Sequence, residues 1–186
     1  MKRTVRNMDD KRDEPKDSLP ERSLLVLFSY HHKNTEKIAR VFADVLDAEI
    51  KAPQQVNPEE LREYSLTGFG SGIYDGKHHQ SLLDLADNLP QVSNKKAFIF
   101  STCGIPVAVA GREYIEGYAA TSHAPLRERL QSKGYTIAGE FICAGFNTNS
   151  FLKLLGGVNK GKPDAGDLNR AEEFARNLLE SAREER

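Results

Sequence analysis

Leu24-Leu25-Val26-Leu27-Phe28, followed at once by Ser29-Tyr30-His31-His32-Lys33-Asn34-Thr35, decides the fold. An apolar run with no polar alternation reads as a short strand buried on both faces. The polar loop behind it leads into 34–46, where Ile38, Val41, Phe42, Val45 and Leu46 recur at helical spacing. A buried strand that hands over to an amphipathic helix is the unit from which α/β sheets are built.

The rest of the chain repeats the alternation. Further strands are predicted near 48–51, 64–69, 97–100 and 136–143. Helices are predicted over 81–89, 122–133 and from Asp167, read as an N-cap, to the C-terminus. Gly134 reads as the C-cap of the 122–133 helix. Five strands alternating with helices imply right-handed crossovers and a parallel sheet with helices on both faces. In such a sheet ligands bind outside the carboxyl ends of the strands, where the strand order switches. The loops after the first, third and fourth strands are therefore the candidate site.

Charge is balanced in total and uneven in place. The 186 residues hold 26 basic and 27 acidic side chains, which removes the electrostatic argument for nucleic acid or an anionic membrane as partner. Residues 1–22 carry 13 charges, with Pro15 and Pro20 and few apolar side chains. Such a segment buries too little surface to offset its ordering entropy. It reads as a tail, laid on the body or on a neighbouring subunit, ahead of one domain over 23–186. No run approaches the ~20 apolar residues of a membrane span, and no apolar leader stands at the N-terminus. Cys103 and Cys143 read as reduced thiols of a cytoplasmic protein.

Three loops carry chemistry. Ser29–Thr35 offers hydroxyls, an amide, a cation and the free N–H groups of a helix start, a set that suits a phosphate. Gly68-Phe69-Gly70-Ser71-Gly72-Ile73-Tyr74 reads as the end of a strand and a glycine-rich loop. It lets backbone approach a ligand, beside apolar and aromatic side chains. Ser101-Thr102-Cys103-Gly104 is small and polar at a strand end and suits the hydrogen-bonding edge of a flat heterocycle.

Other features are weighed against plainer readings. His31-His32 and His78-His79 lack a supporting carboxylate or cysteine pattern, so no metal is expected. His78 and His79 read as rim residues or the start of a helix, and His123 as a helix N-terminal residue. Residues 105–120 read as a long, lid-like loop. Residues 145–166, with Phe146, Phe151, Leu152, Leu154 and Leu155, read as a cover over the sheet end, a pocket wall, or a contact between subunits of a homodimer.

Several of these motifs, in order, resemble the flavodoxin family. The resemblance covers nearly everything from Ser23 to Leu178. It rests on Ser29-x-His31-His32-x-Asn34-Thr35, on Gly68 to Tyr74, on Phe98-Ile99-Phe100-Ser101-Thr102, and on 133–146 and 156–163. It implies a three-layer α/β sandwich with a five-stranded parallel sheet in the order 2-1-3-4-5. It implies FMN, with Ser29, His31, His32, Asn34 and Thr35 on the phosphate and Lys33 adding charge where many relatives carry glycine. Ser71, Gly72, Ile73 and Tyr74 would lie along the isoalloxazine, with Tyr74 stacking. Thr102, Cys103 and Gly104 would line its other side. The implied partner is a redox protein or a small electron acceptor. An electron carrier, an FMN oxidoreductase acting on a quinone or similar acceptor, and a binding module that has lost the flavin are the three readings carried forward.

Overall fold

A computed structural model describes residues 22–30, 32–149 and 156–184. The charged tail and the 150–155 part of the late loop, with its Phe151, Leu152, Leu154 and Leu155, lie outside the described residues. Strand β1 (Ser23–Phe28) is an interior strand of the sheet, as its two apolar faces require. Leu24 and Val26 enter one core layer, and Leu25 and Leu27 the other. It pairs in parallel with β2 (Glu49–Lys51) on one side and β3 (Leu66–Tyr74) on the other. Next to β3 come β5 (Lys95–Cys103) and β6 (Tyr135–Ala144), also parallel. The order β2-β1-β3-β5-β6 is the predicted 2-1-3-4-5 arrangement once parallel strands alone are counted. The extra strand, β4 (Lys77–His78), pairs antiparallel with the end of β3. Asp75 and Gly76, both at positive φ (49° and 79°), make the two-residue turn between them.

Helices cover both faces. On one, α1 (Asn34–Leu46) and α5 (Ala165–Glu184) bury Ile38, Ala39, Phe42, Ala171, Ala175 and Leu178 against Leu25, Phe98, Phe100 and Phe141. On the other, α2 (Gln80–Asp87) and α4 (Ala124–Ser132) bury Leu82, Leu83, Leu126 and Leu130. The predicted start of α5 shifts by three residues. Asp164 and Asp167 exchange side-chain and backbone hydrogen bonds, each 3.1 Å, so Asp164 is the cap and Asp167 its reciprocal partner.

Two expectations are corrected. Most of 105–120, expected as a lid-like loop, is helical, in helix α3 (Val107–Ser122). Pro106 stands at its N-cap, where a missing N–H costs nothing. Gly111, at φ 76° and ψ 168°, takes the break that a proline- and glycine-marked segment suggests, and the helix resumes beyond it with Ile115 and Ala119 buried.

The glycines of 68–72 belong to β3, not to a loop. In register, Gly68 faces Phe98 and Gly70 faces Phe100. The two rings occupy the space that a Cβ on either glycine would need, and Phe42 packs edge-on against both at 5.4 and 5.1 Å. Cys103 and Cys143 are both free and lie in core clusters on opposite sides of the sheet.

Gly70→Ala is expected to destabilise the fold by ~1–3 kcal/mol, the usual cost of forcing atoms into a filled core. Pairing it with Phe100→Leu should recover part of the loss. Urea unfolding of the three chains checks this, and a single variant as stable as the parent would refute it.

Candidate functional site

The ends of β1, β3, β5 and β6 open onto one cleft. It lies where the strand order switches between β1 and β3. Of the expected site residues, Ser29, Asn34, Thr35, Gly72, Ile73, Tyr74, Thr102, Cys103 and Gly104 line it. Tyr30, Gly145, Phe146, Asn147 and Asn149 complete the lining. His32, Lys33 and Ser71 are not part of it, and His31 lies outside the described residues.

The turn into α1 shapes one end. His32 and Lys33 both take φ 53°, the left-handed region that explains why glycine suits position 33. The Lys33 side chain is exposed and pairs with Glu36 at 3.5 Å instead of reaching into the cleft. No side chain caps the helix from its N-cap position. The Ser29 hydroxyl accepts the Glu36 N–H at 3.3 Å. Thr35 and Thr102 join hydroxyl to hydroxyl at 2.8 Å and so fasten α1 to the end of β5. Asn34 donates from Nδ2 to the Phe146 carbonyl at 2.8 Å, which fixes the orientation of its amide. Its Oδ1 is buried and has no partner.

The segment after β6 forms the far wall. Asn147 and Val158 exchange backbone hydrogen bonds at 3.0 and 2.9 Å. Asn159 Nδ2 donates to the Ile105 and Gly145 carbonyls at 2.8 and 3.2 Å, and its Oδ1 accepts the Val107 N–H at 2.9 Å. One amide thus holds this loop to the start of α3. His32 closes over the same wall: its Nε2 meets the Thr148 hydroxyl at 2.8 Å and its ring sits 4.5 Å from Phe146. Sequence reasoning weighed the apolar residues of 145–166 and passed over Asn147, Asn149 and Asn159. Asparagines between glycines were the available signal.

Tyr74 lies half-buried over Gly72, whose missing Cβ would stand 3.0 Å from the phenol oxygen. Burial raises its pKa above the ordinary tyrosine value, so the phenol is neutral. Burial likewise raises the Cys103 thiol, which is a neutral wall and not a nucleophile.

Behind the cleft runs a row of side chains backed by histidines. Phe28, Ser71 and Ser101 are register partners across β1, β3 and β5. Each carries a histidine. His79 stacks on Phe28 at 3.5 Å with planes 8° apart. His78 Nδ1 meets the Ser71 hydroxyl at 2.9 Å. His123 Nε2 meets the Ser101 hydroxyl at 2.7 Å. The expected rim position of His78 is corrected: it is 1% exposed, and His123 is 0% exposed. His79 does start a helix, accepting the Ser81 N–H at the head of α2.

Beyond His123 the row reaches Glu140, which accepts from His123 Nδ1 at 3.0 Å and from Arg127 through both oxygens. Burial alone would raise the Glu140 pKa, but the hydrogen bonds from Arg127 and His123 outweigh it and hold it at about 2. Burial, and the neighbouring His123, push the His78 pKa well below the ordinary value of 6.5. Ser101, His123 and Glu140 have the order of a nucleophile triad, yet the serine and imidazole are sealed from solvent and serve to hold structure.

No family model matches the chain. The uncharacterized protein MJ0298 of Methanocaldococcus jannaschii is 44% identical over 160 residues, 86% of this chain and 99% of that protein. Oxidised flavodoxin 2 from Bacillus cereus superposes with a TM-score of 0.60 at 20% identity, covering 86% of this chain and 99% of its own. A flavodoxin of Streptococcus pneumonia TIGR4 does so with a TM-score of 0.61 at 18% identity, covering 86% and 99%. The architecture is thus that of the flavodoxins. The chain belongs to one family with MJ0298, and its fold is flavodoxin-like. Among the described residues no helix is long and apolar enough to cross a membrane.

The buried titratable groups set a pH dependence. His78 and His79 have lowered pKa values, so below about 6.5 the unfolded chain takes up protons that the folded chain does not. Stability is then complete above that pH and falls beneath it, by up to ~1.4 kcal/mol per pH unit for one group. A second fall is expected as pH drops from 4.5 towards 2, when the Glu140 carboxylate is titrated. Urea midpoints against pH test this. His78→Gln should shrink the first fall and leave the second, and an unchanged first fall would contradict the assignment.

Proposed function

We propose that the chain binds FMN in this cleft and acts in electron transfer with a redox partner. The observation that carries the reading is the convergence of Ser29, Asn34, Thr35, Tyr74 and Thr102 on one cleft at the β1/β3 switch point. Two features fit the group. The buried, partnerless Asn34 Oδ1 is an acceptor placed for a hydroxyl donor such as the ribityl chain carries. The first turn of α1, which no side chain caps from the N-cap position, keeps the N–H groups of Asn34 and Thr35 and a dipole end suited to a phosphate. At the opposite end, the Tyr74 ring and Ile73 offer an aromatic and an apolar face to a flat heterocycle.

In this reading Ser29, Asn34 and Thr35 hold the phosphate and ribityl end. His32 and Lys33 would act from its outer side. Gly72, Ile73 and Tyr74 bound one side of the ring, and Thr102, Cys103 and Gly104 the other, with Ser71 supporting them from behind. The flavin supplies the redox chemistry, and the chain supplies orientation and electrostatics.

Titration with FMN tests the reading. Binding should quench flavin fluorescence and perturb the absorbance near ~450 nm, and riboflavin, lacking the phosphate, should bind at least ~10-fold more weakly. Asn34→Ala should weaken FMN by about 10-fold, the cost of one good hydrogen bond. A chain that takes up no FMN would sink the proposal.

A further inference from the structure

Three polar groups meet the Ser71 hydroxyl. The His79 N–H donates to it at 3.1 Å, the Gly72 carbonyl lies at 2.7 Å and His78 Nδ1 at 2.9 Å. A serine oxygen donates one proton and accepts two. The Gly72 carbonyl accepts only, so its contact takes the single Ser71 proton. The His79 N–H uses one lone pair. The remaining contact is satisfied only if His78 Nδ1 carries a hydrogen and donates it.

A second observation, at the other side of the imidazole, gives the same answer. His78 Nε2 is buried and has no partner. Its ring faces His123, with centroids 4.9 Å apart. A bare lone pair at such a place costs less than an orphaned N–H. The opposite tautomer would bury an unpaired N–H at Nε2. It would also turn the Ser71 proton towards His78 and set a serine lone pair against the Gly72 carbonyl oxygen at 2.7 Å.

We infer that His78 is a positioning residue. It holds its proton on Nδ1, commits the Ser71 proton to the Gly72 carbonyl, and so fixes the wall of the cleft formed by Gly72, Ile73 and Tyr74. The charged and titratable groups facing it are His123, from the junction of α3 and α4, and Glu140 of β6, with Arg127 of α4 paired to that carboxylate. The clamp acts on the backbone one residue from the Ser71 side chain, on the face of the sheet away from the helices α1 and α5. As a statement about the cleft wall it concerns the chain without ligand. As a statement about flavin affinity it rests on the proposed function.

Two measurements on the full chain test it. Nitrogen-15 NMR of the imidazoles, without flavin at neutral pH, should give a pyrrole-type shift at His78 Nδ1 and a pyridine-type shift at Nε2. The reversed pattern, or a doubly protonated ring, overturns the inference. FMN titrations of variants form the second measurement. His78→Asn keeps a donor where Nδ1 stands and should bind FMN within ~2-fold of the parent, whereas Ser71→Ala and His78→Leu should bind at least ~10-fold more weakly. The parent's tautomer with an unchanged Ser71→Ala affinity would overturn the link to the cleft. A parent that binds no FMN would refute the proposed function and leave the NMR result to decide the tautomer.

Discussion

The structure depends on the register of β3 between its two parallel neighbours. Phe28, Ser71 and Ser101 stand level across β1, β3 and β5, and Ile142 continues the row into β6. Because side chains alternate, the next residues along the first three strands, Ser29, Gly72 and Thr102, belong to the opposite face and line the cleft. A slip of one residue would exchange the buried row for the cleft row in β3. The glycines oppose such a slip. Gly68 and Gly70 are the positions where the Phe98 and Phe100 rings fit, and an adjacent position in β3 would bring a side chain under them.

That register explains why the site is assembled from distant segments. Thr35 reaches Thr102 from the head of α1, and Asn34 reaches Phe146 beyond β6. Asn159 ties the same late loop to the start of α3. Each is a single hydrogen-bonding side chain spanning two connections of the chain, and the cleft is defined by their meeting. Packing supplies the level floor, and these bonds set the height of the walls.

Much of this was legible in the residues. The apolar run of β1 and the stripe Ile38, Val41, Phe42, Val45, Leu46 announce a parallel α/β sheet, and polar residues at strand ends announce its site. Three features were not legible, each for a tertiary reason. Glycines 68–72 read as a loop because their strand role lies in rings contributed by another strand. Helix α3 was hidden because Pro106 and Gly111 are breakers by local rule, while Ile115 and Ala119 make a face visible only once the core is known. The buried histidines were hidden because their partners, Ser71 for His78 and Ser101 and Glu140 for His123, meet them only in the folded sheet. Polarity alone suggested a rim.

The histidine row has an electrostatic consequence for whatever occupies the cleft. The imidazole behind Gly72 is uncharged at neutral pH, since burial disfavours its protonated form. Farther back, the charges of Arg127 and Glu140 cancel as a pair. An anion that develops in front of this wall is therefore met first by the oriented dipoles of its hydroxyl and backbone groups. Dipoles of hydroxyls and backbone fall off faster with distance than a charge does. The wall would thus discriminate sharply by position, rewarding a negative atom in contact with it and offering little to one a few ångströms away.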